Sequence, residues 1–84
     1  MKRVAEAGNT EVPASLVLEQ KGYAIRREIS AGGEDWIAER GDISCCASSV
    51  LSLLGLVTMV EARGEHWAAP DEAIELFLKQ HGLN

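Results

Sequence analysis

Cys45 and Cys46, adjacent in the stretch ISCCASS, are the residues best equipped for chemistry. Neighbouring thiols can close a strained disulfide ring or offer soft ligands to a metal. With His66 and His81 they reach the four donors that a structural zinc takes. The spacing opposes such a site, because zinc cysteines usually stand two to four residues apart. Consecutive side chains of a strand also point to opposite faces. One cysteine is therefore expected in the core as a small hydrophobe, with the other outside. A thiol or metal site at Cys45 and Cys46 is the chemical alternative, and no cofactor is expected.

The other nucleophiles do not organise themselves. Ser44, Ser48, Ser49 and Ser52 cluster, yet none lies in a G-x-S-x-G elbow. Ser48 and Ser49 are explained as helix caps. Glu65 beside His66 pairs a carboxylate with an imidazole but adds no nucleophile. Gly32-Gly33 lacks the third glycine and the Lys-Ser/Thr of a phosphate loop. Arg40-Gly41-Asp42 spells an adhesion tripeptide, but it is ordinary turn chemistry. The chain does not read as an enzyme.

What remains points to contact with another protein, or with a second copy. Trp67 stands in a polar stretch before the last helix. It either plugs the gap between two helices or presents an anchor to a partner. Trp36 is expected to alternate inward on its strand. Tryptophan and arginine dominate interface energies, so Trp67, Trp36, Arg26 and Arg27 are the interaction candidates. Eight basic residues against thirteen acidic ones leave a net charge of −5, which argues against nucleic acid and anionic membranes. The first dozen residues hold no apolar signal core, so the expected location is the cytoplasm.

These residues must be positioned by elements read from periodicity. Ser48–Arg63 is the organising stretch. Between Val50 and Val60 only Ser52, Gly55 and Thr58 interrupt the aliphatic run. Apolar pairs repeat every third residue, which leaves a helix greasy on nearly every side and predicts a buried one. Val50, Leu53, Leu54, Val57 and Val60 make one face. Leu51, Gly55, Thr58 and Ala62 make a smaller one, where a close partner element is expected. About eleven residues rise only about 16 Å, too short for a membrane span.

Tyr23–Ser30 alternates as a strand, with Tyr23, Ile25, Arg27 and Ile29 on its core face. The glycines of Ala31–Glu34 suit a hairpin turn into a second strand, Asp35–Arg40. A turn at Arg40-Gly41-Asp42 leads to a short third strand at Ile43–Cys46. Pro13–Lys21 fits a helix stopped by Gly22, with Leu16 and Val17 inward, and also fits a strand; the helix is preferred. Pro70-Asp71-Glu72 opens a last helix with an apolar stripe at Ala73, Ile74, Phe77, Leu78 and His81. The expected fold is α+β in the order α-β-β-(β)-α-α. Two to three antiparallel strands form a meander covered on one face by helices. Residues 1–12 are expected as a flexible arm and 13–84 as one domain.

Overall fold

The computed structural model describes residues 1–83. Helix α1 spans Glu11–Gln20, strands β1, β2 and β3 span Ala24–Ser30, Gly33–Arg40 and Ile43–Ala47, and helices α2 and α3 span Val50–Arg63 and Asp71–Gln80. The strands form one antiparallel sheet in the order β1-β2-β3. This is the expected α+β meander, third strand included, and Pro13–Lys21 is helical.

Both turns are built on glycine. Gly33 closes the first hairpin at φ 126° and Gly41 turns the second at φ 61°, backbone regions that a side chain disfavours. Register then fixes the faces. Ile25, Ala38 and Cys45 align across the three strands on the side covered by α1 and α2. Leu18, Leu53 and Val57 are fully buried against them, with Ala14, Tyr23 and Val50 completing the core. The core face runs out along β1: Tyr23 is buried, but Ile29 at the hairpin tip is 70% exposed because no helix reaches it.

Ser49, one of the two serines expected to cap α2, accepts a hydrogen bond from the Ser52 amide at 3.1 Å. A second cap comes from α1. The Glu11 carboxylate accepts from the amides of Val50 and Leu51, at 3.3 and 2.8 Å. These are orphan donors at the positive end of the α2 dipole, where a carboxylate is favoured. At the opposite end of the helix pair, Lys21 donates to Glu61 of α2 at 2.8 Å. These polar ties set the rotation of α1 about its axis. The helix starts at Glu11, inside the stretch expected as arm, and turns Ala14 and Leu18 inward. Leu16 and Val17, expected inside, lie on the exposed side.

Two further expectations change. Val50, Leu53 and Val57 of α2 are buried, whereas Leu51 and Met59 are exposed, because α1 and the sheet cover only part of the helix. Nothing closes on Gly55: a Cβ built there meets no atom within 4 Å. The last helix keeps its expected stripe but does not lie on the sheet. It has no buried residue and makes no extensive contact with another element.

The rotation of α1 is testable. Leu18→Ala is expected to cost about 2–4 kcal/mol in urea unfolding, the usual price of a core cavity. Leu16→Ala should stay within about 0.5 kcal/mol of wild type, as surface changes do. Equal losses would mean that the inward face is misassigned.

Candidate functional site

β3 is an edge strand, so one side of its backbone has no strand partner. Along this edge lies a cleft of about 480 Å³. Its walls are Ile43, Cys45 and Cys46 of β3, Leu56 and Val60 of α2, and Trp67 of the following loop, with the carboxylates of Asp42 and Glu65 alongside. Gly64, at φ 84°, ends α2 and donates its amide to the Val60 carbonyl at 2.7 Å. Arg63 Nε donates to the Trp67 carbonyl at 2.8 Å. Those two bonds hold the loop so that Trp67 borders the cleft while staying 37% exposed.

Trp67 lines the cleft beside Leu56 and Val60 of α2, where the sequence allows either a plug between helices or an anchor for a partner. Trp36 aligns with Arg27 and Ala47 on the helix-covered face and is half-buried against the core. Arg26 and Arg27 do not join Trp67, since β1 is the other edge of the sheet. Arg26 lies on the open face, bonded to Glu28 and, at 3.0 Å, to Glu39. Arg27 stands on the opposite face, 3.9 Å from Glu34. The interaction candidates thus occupy three separate places.

The cysteines divide as strand alternation requires. Cys45 is buried opposite Ala38, and Cys46 is exposed opposite Ile37. Burial, with the Glu61 carboxylate adding to it, pushes the Cys45 thiol up, away from the reactive thiolate. On opposite faces of one strand the two sulfurs cannot converge on one ion. Among the described residues no group of three or more potential metal ligands occurs. His66 is exposed in the loop; His81 ends α3 with its ring centroid 4.6 Å from that of Phe77.

The densest polar cluster has a structural role. Glu61 accepts from Lys21 Nζ at 2.8 Å and from the Tyr23 hydroxyl at 3.3 Å, and lies 3.6 Å from Arg40. Arg40 stacks its guanidinium 4.6 Å above the Tyr23 ring and donates to the Lys21 carbonyl at 2.7 Å. The arginine of the adhesion-like tripeptide is thereby engaged at the junction of α1, β1 and β2. Burial raises the Tyr23 hydroxyl against the pull of Arg40. The hydrogen bond from Lys21 leads in holding the Glu61 carboxyl below its usual range.

Sequence reasoning missed Glu11, Glu61 and the Leu56–Val60 wall. Nothing in the spacing tells which polar residue a distant helix will meet. The α3 stripe was legible, but not that it stays uncovered. Together the fold and the cleft define a small α+β protein with a three-stranded meander, an open strand edge and a detached amphipathic helix. No helix is long and apolar enough to cross a membrane among the described residues. Comparison with family models, with curated proteins and with solved structures finds no match for the chain.

Two outcomes follow from this chemistry. In the native protein an aromatic disulfide reagent should titrate Cys46 promptly and Cys45 only as the chain unfolds, with Cys46→Ser abolishing the fast phase. Equal rates would contradict the burial of Cys45. The second outcome concerns acid. The unfolded Glu61 titrates near 4.5 and the folded one lower, so its stabilisation is complete above that value and is lost as the pH falls through the folded value. Urea midpoints should therefore drop more on acidification for wild type than for Glu61→Gln.

Proposed function

We propose that this chain is a non-enzymatic interaction module. It binds another protein, or a second copy of itself, through the apolar surface left open by α3 and the β3 cleft. The observation that carries this reading is α3 itself. Helices shorter than about 12–15 residues are marginal in water unless tertiary packing holds them. α3 has ten residues and none is buried. Ile74 is 47% exposed and Phe77 55%, on the same stripe. A helix this amphipathic and this short draws its stability from a surface that covers the stripe.

Chemistry offers less support to a rival. The thiols diverge, and the polar cluster at Glu61 is consumed by structural bonds. The acidic balance of the chain favours a protein partner over nucleic acid or a membrane surface. A cytoplasmic setting belongs to the same reading, since two unpaired thiols suit a reducing compartment.

Capture from the native cell, with wild-type and Phe77→Glu protein side by side, tests the module. The variant should keep the cooperative unfolding of the α1–sheet–α2 body but lose the specific companion, whether that companion is a different protein or the untagged chain, and with it any stability that cover of α3 supplies. Identical companions for both proteins would reject an interaction role for α3.

A further inference from the structure

We propose that the surface covering α3 is a second copy of this chain, and that each copy lays its α3 stripe into the β3 cleft of the other. This inference rests on the interaction reading above and names its partner.

The first argument is area. The chain exposes 6673 Å², whereas a compact protein of 9.1 kDa exposes about 4,900 Å². The excess is therefore roughly 1,800 Å². An extended arm of about ten residues accounts for roughly 1,000 Å² of that, by the difference between unfolded and packed surface. About 800 Å² is left, comparable with the roughly 800 Å² that each partner contributes to a standard interface. The radius of gyration, 15.3 Å against the roughly 12 Å of a compact chain this long, reflects both the arm and the outlying α3.

The second argument is self-complementarity. One chain carries both halves of a contact, and neither half is used. The donor half is Ile74, Phe77 and Leu78; helical spacing turns Glu72 and Lys79 away from it and leaves Asp71 and Glu75 along its rim. The acceptor half is the apolar floor of Ile43, Leu56, Val60 and Trp67, in a cleft of about 480 Å³ whose rim carries Asp42 and Glu65 and which has room for an aromatic side chain. The shallower groove between α1 and α2, about 260 Å³, is the poorer receptor for Phe77. Two copies related by a twofold axis fill both clefts at once, which is the isologous arrangement most dimers use. Acidic residues rim both meeting surfaces, Asp42 and Glu65 at the cleft and Asp71 and Glu75 beside the stripe, so the contact is carried by its apolar centre. The linker from Gly64 to Pro70 acts as the arm over which the helix is exchanged.

Sedimentation equilibrium from low micromolar to near-millimolar protein reads the result. Wild type should be dimeric. Phe77→Glu and Trp67→Glu should each raise the dimer Kd by roughly thirty-fold or more, as loss of a central anchor does. Mixing the two variants should restore dimers, because the intact helix of one fits the intact cleft of the other. Ile43→Glu serves as the cleft variant if Trp67→Glu fails to fold. A wild-type monomer at every concentration overturns the proposal, while companion capture still judges the broader interaction role. Dimers broken by Phe77→Glu but indifferent to both cleft variants would overturn the cleft as receptor and show α3 pairing with α3.

Discussion

Two carboxylates on adjoining helices govern this structure. Glu11 reaches from α1 to the amides that open α2, and Glu61 reaches from α2 to Lys21 at the end of α1. Each bond satisfies a polar group that the fold must satisfy somehow. Their joint effect is geometric, because a helix tied at both ends cannot roll. Once α1 is fixed, Leu18 enters the core and Val12, Leu16 and Val17 turn away from it. The helix had apolar candidates on more than one side, and the polar ties select among them.

The covered side of the sheet is correspondingly small. Leu18, Leu53 and Val57 lie over Ala38 and Cys45, and the hairpin tip of β1 extends past them into water. The open side protects itself by other means. Ile37 on the central strand is only 5% exposed although no helix lies over it. Its cross-strand neighbours are Arg26 and Cys46, and the Arg26–Glu28 and Arg26–Glu39 ion pairs stand on the same face around it. Exposed ion pairs of this kind add little energy individually. Their contribution here is to keep polar groups on the face that no helix covers.

Much of this was legible in the sequence, for definable reasons. Period-two alternation through Tyr23 and Ile25, paired glycines at the turns, and Ser49 before an apolar run are local signals, and each produced its element. Cys45 and Cys46 were separable because pleating alone puts them on opposite faces. The rotation of α1 was not legible, since it depends on Glu11 meeting amides thirty-nine residues away. Gly55 misled for a related reason. Its smallness permits a close neighbour, but permission does not say that the chain supplies one. Arg26, Arg27 and Trp67 looked combinable until strand order put them at opposite edges. Local chemistry specifies elements; the pairing of polar groups distant in the chain specifies which of their faces meet.

That division explains why the unused surface falls where it does. α1 and α2 have reciprocal polar ties, so their packing is specified within one chain. Among the described residues α3 makes none to the body of the molecule, and only Asp71 and Glu75 of its charged residues border the apolar stripe. Among the described residues its directional handle is the short loop that Arg63 pins at Trp67. Hydrophobic attraction then acts without an orienting bond, and it is non-directional, serving equally a neighbouring copy and the parent chain. A helix attached by a pinned loop, with its stripe uncovered, is left unplaced by the bonds that fix α1 and α2. The absence of a polar tie on α3 is thus as much a part of the design as the two ties on α1.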